Sequence, residues 1–360
     1  MADLVITGLE QVTAEWLTTV LTRSGALARG EVVAYDVDAR VDRHLSTSHR
    51  LRIVYSKGAS GSLPEHLFLK TVDADQDEDF FGSSEVDYYL RDYVGVACAP
   101  LVRCYDAAFS AKQRRYHLLL DDLFLTHVET TTKTPTLEYG FALAEGLACL
   151  HAHWWGGERI AQSGDRIPDA GQIDRFVNVA APGAGHIIRE FSDHLKPHWP
   201  QGMLELIARH PRAMVQRTLD VNGFALIHGD VNRTNVLVPH EGDRPLYIID
   251  RQPFDWSLTV WLAVYDLAYA IVFDWSIEQR KQQELTILRH YHEQLLARGV
   301  LDYSWEQLFS DYRLSVAICV YVAIEWCRGG INHEWMHVWL PKLQKSMTAC
   351  DDLNCRELWI

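Results

Sequence analysis

The sequence has no GxGxxG glycine fingerprint between its first two strand-like segments, Val32–Val41 and Leu51–Tyr55. A glycine-rich phosphate loop of the familiar kind is therefore excluded there. The seven cysteines include no CxxC pair and are scattered along the 360 residues, which excludes a zinc or redox motif built on paired cysteines. We expect free thiols in a reducing compartment, and hence a cytoplasmic protein, rather than a disulfide framework.

Long apolar runs and basic residues are also scarce. The most apolar segment, Leu314–Ile324, is too short to cross a bilayer and is followed by Glu325, so we expect a buried helix and no membrane partner. The 34 basic residues are outnumbered by 48 acidic ones, and a formal net charge of −14 argues against nucleic-acid binding. The segment Met1–Leu4 has no basic stretch, so no signal peptide is expected.

What is present is a polar loop between two apolar runs in the middle of the chain. The pattern HGDxxxxN extends from His228 to Asn235, and the apolar stretch Leu246–Ile249 then ends on Asp250. Chance produces such a pattern in about one chain in a thousand of this size. The alternative that Asp230 and Asn235 only cap turns stays open. The apolar runs on both sides favour a loop between strands, where catalytic residues are often found.

Phosphoryl transfer from a nucleotide to a hydroxyl group explains these residue types. One carboxylate must orient and deprotonate the acceptor hydroxyl, and oxygen ligands must hold Mg²⁺ against the polyphosphate. We assign Asp230 as the catalytic base, and Asn235 and Asp250 as the neutral and the anionic metal ligand. Mg²⁺ prefers oxygen ligands and keeps several waters, so two protein ligands suffice. Eukaryotic protein kinases use the same spacing.

At these residues the sequence resembles the aminoglycoside phosphotransferase-like small-molecule kinases, which have the protein-kinase-like fold. It is most similar to their ecdysteroid-kinase-like branch, in which HGDxxxxN is followed by an I-D-x-Q stretch, here Ile249–Gln252. The resemblance implies supporting roles for His228 and Gln252, and ATP or GTP as the phosphoryl donor. Arg251 departs from the family, which usually has an aromatic or apolar side chain there; it either contacts phosphate or pairs with an acid.

The resemblance also implies that the preceding part of the chain binds the nucleotide. The strand-like segment Leu67–Lys70 ends on a lysine that would steady the α- and β-phosphates, with Glu85 on a helix as its ion-pair partner. The turn His44–Ser48 would cover the phosphates with backbone N–H groups and small hydroxyl side chains. The candidates in this turn are Ser46, Thr47 and Ser48. Taken alone, Lys70 is better explained as a solvated lysine at the end of a strand, and Glu85 as a surface residue of a helix.

Two further segments complete the expected site. Arg115–Leu123 has the pattern of the last strand of the first lobe followed by a hinge. By resemblance, the purine edge lies against the hinge backbone, at Leu120, Asp121 and Leu123. Backbone contacts leave no side-chain signature, so the choice between ATP and GTP is open. Asp266, in a DLA segment, is expected at a helix start, where by resemblance it would tie down the catalytic loop.

A competing motif, HExxH, occurs at His333–His337 and on a helix would place two imidazoles on one face for Zn²⁺, with Glu334 as the base of a hydrolase. With 17 histidines in the chain, this pattern arises by chance in roughly one chain in twenty. Only 23 residues follow His337, which leaves little chain for a third ligand and a substrate cleft. We interpret another pair, His151 and His153, as packing and hydrogen-bonding residues.

Together these observations predict an α+β, bilobal protein-kinase-like fold. Residues 1–122 would form a nucleotide-binding lobe with an antiparallel sheet, and residues 123–360 a mostly helical lobe that carries the catalytic loop and binds the acceptor. Aromatic side chains of the second lobe are candidates for an acceptor pocket, although each is as readily a core residue: Trp256, Trp261, Trp275, Trp326, Trp335 and Trp339.

The predicted function is nucleotide- and Mg²⁺-dependent phosphorylation of a hydroxyl group on a small molecule. The resemblance implies that the acceptor is an antibiotic or other natural product, and that its phosphorylation serves resistance or detoxification. A metabolic kinase for a choline-like, sugar or steroid-like alcohol is the alternative. Two alternatives lie outside the small-molecule kinases: a pseudokinase that binds nucleotide without catalysis, and the HExxH zinc hydrolase. The acidic net charge would suit a cationic acceptor such as an amino sugar, and no pattern indicates an oligomeric state.

Overall fold

The computed structural model describes residues 5–43, 45–73 and 81–360. His44, part of the predicted phosphate-covering turn, and Met1–Leu4 lie outside the described residues. The chain forms two compact units. Unit 1 consists of the described residues of Met1–Gly95 together with Leu101–Val128 and Val238–Asp255, and unit 2 consists of Val96–Pro100, Glu129–Leu237 and Trp256–Ile360.

Unit 1 is built on a five-stranded antiparallel sheet. Its first seven strands are β1 Leu27–Arg29, β2 Val32–Asp42, β3 Ser46–Tyr55, β4 Ser60–Gly61, β5 His66–Asp73, β6 Cys104–Ser110 and β7 Arg115–Asp121. The large sheet has the order β2-β3-β5-β7-β6, and β1 pairs with β4. Side chains alternate between buried and partly exposed along most of β5, as the period of two in a strand requires.

Helix packing covers one face of this sheet. Helix α1 (Ala14–Arg23) begins where the Thr13 side chain accepts a hydrogen bond from the Trp16 N–H, an N-cap that satisfies one free donor of the first turn. Its buried Leu17 joins a core that includes Leu67 and Leu69 of β5. Helix α2 (Ser84–Asp87) continues into a π-helical turn, Tyr88–Asp92.

Unit 2 is mainly helical. The strands that follow β7 along the chain are short, and β11 together with parts of β8 and β10 belongs to unit 1. The strands are β8 His127–Glu129, β9 Phe224–Leu226, β10 Val236–Pro239, β11 Tyr247–Ile248 and β12 Val260–Leu262. They form a sheet of order β11-β10-β8 and a β12-β9 pair. The helices are α3 Leu137–His153, α4 Gly157–Ser163, α5 Ala170–Phe191, α6 Trp199–Arg217, α7 Val264–Asp274, α8 Ile277–Ala297, α9 Trp305–Glu325 and α10 Met336–Asp352.

Helices α7 and α9 lie in the core of unit 2. All residues of α7 are buried, and α9 contains the apolar segment Leu314–Ile324, so the prediction of a buried helix is confirmed. Within the described ranges, α9 is the one helix long and apolar enough to cross a membrane, and 72% of its apolar window is buried inside the protein. A Cβ atom on Gly183 of α5 would lie 1.9 Å from the Ile324 carbonyl oxygen, so only glycine permits this approach of α5 to α9.

Two sequence predictions are corrected. Cys98 and Cys149 form a disulfide within unit 2, and the remaining five cysteines are free. The expectation of free thiols is therefore wrong for this pair, because spacing in the sequence does not report which cysteines meet in space. Ser46, Thr47 and Ser48 belong to β3, paired with β2 and β5, and not to the turn before it.

The competing HExxH motif does not lie on one helix. His333 and Glu334 precede α10, which begins at Met336, so the two imidazoles do not lie on one helical face. Among residues 5–43, 45–73 and 81–360, no group of three or more His, Cys, Asp or Glu side chains could hold a metal ion. The motif therefore has the composition of a zinc site without the helix that such a site requires.

Candidate active site

The loop that carries HGDxxxxN lies in unit 2 between β9 and β10, and its start is fixed by one buried carboxylate. The N–H groups of His228 and Gly229 donate to the two oxygens of Asp266, at 2.6 Å and 2.8 Å. Asp266 is the third residue of α7 and is fully buried. Gly229 has a φ of +81°, a left-handed conformation that glycine adopts without steric cost.

Asp266 is itself held from behind by α3. The His151 Nε2 atom lies 3.1 Å from Asp266 Oδ2, and its Nδ1 atom lies 2.7 Å from the Tyr291 hydroxyl. Burial, the largest influence, raises the pKa of Asp266, but the hydrogen bond and charge of His151 together with the His228 N–H bring that pKa below its ordinary value. Asp266 is therefore an anchored anion, and His151 is a packing and hydrogen-bonding residue.

The Asp230 carboxylate is oriented by its own loop. Asn235 Nδ2 donates to the Asp230 carbonyl at 2.9 Å and to Asp230 Oδ2 at 3.0 Å. Asn232 Nδ2 donates to Asp230 Oδ1 at 2.9 Å. Because both oxygens of this half-buried carboxylate receive hydrogen bonds, its plane is fixed and it is prepared to accept a proton in one direction.

Tyr269, which the sequence reasoning did not single out, completes this set. Its hydroxyl donates to Asp230 Oδ1 at 2.6 Å. Burial, followed by the charge of Asp230, raises the pKa of Tyr269 well above its ordinary value, so the hydroxyl stays protonated and remains a donor. The available signal was the spacing: Tyr269 lies three residues after Asp266 on α7, and positions i and i+3 of a helix share a face.

In unit 1, a lysine joins two carboxylates. Lys70 Nζ on β5 lies 2.8 Å and 3.0 Å from the two oxygens of Glu85 on α2, and 2.8 Å from Asp250 Oδ1. The Tyr116 hydroxyl also donates to Glu85. The predicted partner of Lys70 is thus in contact with it, and the candidate metal ligand Asp250 meets the same ammonium group.

Burial and charge act against each other in this cluster. Burial raises the pKa of Glu85 to about 7, although Lys70 acts to lower it. For Asp250, burial raises the pKa but the Lys70 ammonium more than offsets it, so the net pKa lies below its ordinary value. Burial lowers the pKa of Lys70, and its two carboxylates together raise it above the ordinary value. Lys70 therefore stays cationic.

The backbone at Asp250 is unusual, and so is the residue that follows it. Asp250 has a φ of +60°, a left-handed conformation that costs free energy for a residue with a Cβ and is found at functional sites. Arg251 is 3% exposed and its Nη1 lies 2.5 Å from Asp92 Oδ2 in the π-helical turn. Of the two alternatives for Arg251, the structure shows the pairing with an acid.

The other predicted nucleotide contacts lie around the same sheet. Ser46 and Thr47 line a polar cavity of about 170 Å³ in unit 1, which Arg43 and Arg115 also line. Leu120 and Asp121 end β7, where Leu120 pairs with Phe68 and Cys104 of the neighbouring strands. Ser48 lies opposite Lys70 on β5. The Leu123 carbonyl accepts from the Thr126 and His127 N–H groups.

Three predicted site residues, Gln252, Asn235 and Asp250, differ in the atoms that they could offer to a ligand. Gln252 is 4% exposed, and its Nε2 atom has no hydrogen-bond partner within the described part of the chain. The amide nitrogen of Asn235 is occupied by Asp230, so its carbonyl oxygen is the atom that would serve as a ligand. An amide oxygen and a carboxylate are each hard oxygen donors of the kind that Mg²⁺ prefers.

Comparison with known proteins bears out the predicted resemblance. Residues 187–300 match the model of the ecdysteroid kinase-like family, a segment that includes the loop, Asp250 and Asp266. No curated protein matches the sequence.

Three solved structures illustrate the fold. An ethanolamine kinase from Plasmodium vivax has a TM-score of 0.54 and 11% identity, covering 87% of this chain and 82% of that one. A choline kinase from Cryptosporidium parvum Iowa II has a TM-score of 0.58 and 11% identity, covering 96% and 98%. The GDP complex of wild-type aminoglycoside 2'-phosphotransferase-IIIa has a TM-score of 0.52 and 13% identity, covering 95% and 100%.

These likenesses confirm the predicted α+β kinase-like fold, with an antiparallel sheet towards the N-terminus and helices towards the C-terminus. With the family match, they support the prediction of a small-molecule kinase. The chain thus has a protein-kinase-like fold and, over residues 187–300, the sequence signature of the ecdysteroid kinase-like family.

Proposed function

We propose that this protein transfers the terminal phosphoryl group of ATP or GTP, with Mg²⁺, to a hydroxyl group of a small molecule. The observation that carries the proposal is the Asp230 carboxylate, held by Asn232, Asn235 and Tyr269 on a loop whose start is anchored by Asp266. A carboxylate fixed in this way can accept the proton of an incoming alcohol as its oxygen attacks phosphorus.

The other residues have distinct tasks in this proposal. Lys70, held by Glu85, would contact the α- and β-phosphates as a fixed cation. Ser46 and Thr47, beside Arg43, line a cavity whose hydroxyl and guanidinium groups suit phosphate oxygens. Arg115 and Asp73 also line this cavity and pair with each other at 2.7 Å. Asn235 and Asp250 would hold Mg²⁺, which when bound would neutralise charge on the β- and γ-phosphates. Leu120, Asp121 and Leu123 would meet the purine through their backbone.

The acceptor that we propose is a hydroxylated natural product such as an antibiotic, with resistance or detoxification as the purpose. A metabolic alcohol is the second candidate, because an ethanolamine kinase and a choline kinase are among the solved structures with this fold. A cytoplasmic location belongs to the proposal as well. The Cys98–Cys149 disulfide weighs against that location, since reducing compartments disfavour disulfides.

Nucleotide consumption by purified protein, measured with ATP and GTP separately across a panel of hydroxylated compounds, tests the proposal. Asp230→Asn keeps the shape of the side chain and removes the base, so we expect kcat to fall by roughly 10²–10⁴-fold while nucleotide affinity is retained. Asp243→Asn, which alters an exposed carboxylate, is the matched control. Undiminished turnover by Asp230→Asn would refute the assignment.

A further inference from the structure

A lysine of α10 approaches the residue that orients the base. Lys342 Nζ lies 3.4 Å from the Tyr269 hydroxyl, which in turn donates to Asp230 Oδ1 at 2.6 Å. The Lys342 side chain is partly buried, and it forms no ion pair with a carboxylate of the described residues. The Lys342 charge acts on the buried Asp274 carboxyl, but the two groups form no salt bridge. A partly desolvated ammonium group without a salt-bridge partner is costly, and such a group is suited to bind an anion from solution.

Aromatic rings hold this ammonium in place. Lys342 Nζ lies 4.9 Å from the ring centre of Phe273, 5.5 Å from that of Tyr269 and 6.0 Å from that of Trp326. Such cation–π contacts stabilise a charge at the face of a ring without neutralising it. The positive charge is therefore fixed beside the base and remains able to attract a negative group.

The other charged groups near Asp230 do not cancel this charge. Lys345 lies one turn after Lys342, and its Nζ donates to the Phe273 carbonyl at 2.6 Å. Arg233, on the loop, donates to the Thr130 carbonyl at 2.8 Å. Asp274, at the end of α7, is buried, and burial raises its pKa to about 8. The charges of Lys342, Arg233 and Lys345 act to lower that pKa but do not overcome burial, so near neutral pH Asp274 is mostly protonated and neutralises little of the Lys342 charge.

We propose that Lys342 binds an acidic group of the acceptor, a carboxylate, phosphate or sulfate, and thereby selects anionic alcohols over cationic ones. This inference rests on the proposed phosphotransferase function. It differs from the expectation that the net charge of −14 suits a cationic acceptor, because charges more than about 8 Å away are largely screened at physiological salt. The charge of Lys342, close to the base, therefore sets the preference between anionic and cationic acceptors.

Three probes that differ only in charge test the proposal: 4-(hydroxymethyl)benzoate, 4-(hydroxymethyl)benzamide and 4-(hydroxymethyl)benzylamine. Binding to the full chain is measured by calorimetry, and phosphorylation by nucleotide consumption. We expect the benzoate to bind about tenfold or more tightly than the benzylamine, which corresponds to about 1.4 kcal/mol. Lys342→Met should erase the difference and Lys342→Glu should reverse it. Lys281→Met, which alters an exposed lysine paired with Asp352, should change nothing.

Two results would overturn the proposal. One is wild-type protein that binds the benzylamine as well as the benzoate, or that shows no measurable preference. The other is a Lys342→Met variant that loses turnover equally with all three probes, which would assign the lysine to the transferred phosphoryl group. If the proposed phosphotransferase function is wrong, wild-type protein will not consume nucleotide with any probe. Calorimetry will still measure whether it prefers the benzoate, so the two proposals are tested separately.

Discussion

At the scale of single residues, the Tyr269 hydroxyl connects the proposed base to the core of unit 2. It donates a hydrogen bond to Asp230 from α7, all of whose residues are buried. A hydrogen bond to a charged group is worth about 1.5–3 kcal/mol. We expect Tyr269→Phe to lower kcat by roughly 10–100-fold and to leave nucleotide affinity unchanged, as steady-state kinetics will show. Tyr321→Phe, which removes a buried hydroxyl bound to the Leu206 carbonyl, should not affect kcat. An equal loss in both variants contradicts this role.

Asp274 gives a prediction about pH. Its pKa is raised from 3.8 to about 8 by burial, so the unfolded chain releases this proton at a lower pH than the folded chain does. The free energy of unfolding therefore falls as pH rises from 3.8 to about 8, by up to about 1.4 kcal/mol per pH unit. Asp274→Asn should gain thermal stability relative to wild type between about pH 6 and about pH 8. A stability difference that is constant across this range argues against the assignment.

Individual residues were predictable from the sequence to different degrees. The spacing of Asp230 and Asn235 predicted that they share one loop, and the structure shows the two side chains in hydrogen-bond contact; their catalytic roles stay a prediction. Tyr269 was missed because its partner depends on the rotation of α7 against the loop. Among the tryptophans considered for an acceptor pocket, Trp261, Trp275 and Trp339 are fully buried, which composition alone cannot reveal.

At the scale of elements, Arg251 joins the segment that contains Asp250, the proposed metal ligand, to the π-helical turn. The buried Arg251–Asp92 pair is accompanied by a hydrogen bond from the Tyr88 hydroxyl to the Ile248 carbonyl at 3.4 Å and from the Gly82 N–H to the Pro253 carbonyl at 3.0 Å. These contacts hold the chain on both sides of Asp250 against the segment that includes Glu85.

Breaking that pair should affect both stability and nucleotide binding. Removing one partner of a buried ion pair costs about 3–5 kcal/mol, so we expect Arg251→Met to lower the thermal midpoint and to weaken Mg²⁺-dependent nucleotide binding. Arg251→Met combined with Asp92→Asn should recover part of the stability. Arg52→Met, which removes an exposed pair with Asp36, is the control for losing an arginine. Unaltered binding by Arg251→Met would mean that the pair plays no part in the site.

Most elements around the site could be predicted, and their ends could not. The segment Leu67–Lys70, predicted to be a strand, lies within β5. Ser46–Ser48 extend β3 because they pair with β2 and β5. Pairing between distant segments has no local signal in the sequence.

At the scale of the whole molecule, the disulfide is the feature that composition did not indicate. It joins the exposed Cys98 to the buried Cys149 of α3 across 51 residues. We expect five reactive thiols in denatured, unreduced protein and seven after reduction. Reduction should lower the stability of unit 2 by about 2–4 kcal/mol, measurable as a lower thermal midpoint. Seven reactive thiols without reductant contradict the pairing.

Mg²⁺-dependent nucleotide binding and turnover, measured on Asp230→Asn and Asp250→Asn side by side, test the central claim most directly. The account predicts that Asp230→Asn binds nucleotide with Mg²⁺ as wild type does and fails to turn over. Asp250→Asn should lose the Mg²⁺-dependent part of nucleotide binding, by about tenfold or more. Equal behaviour of the two variants, with both retaining turnover, would contradict the division of labour between a base and a metal ligand.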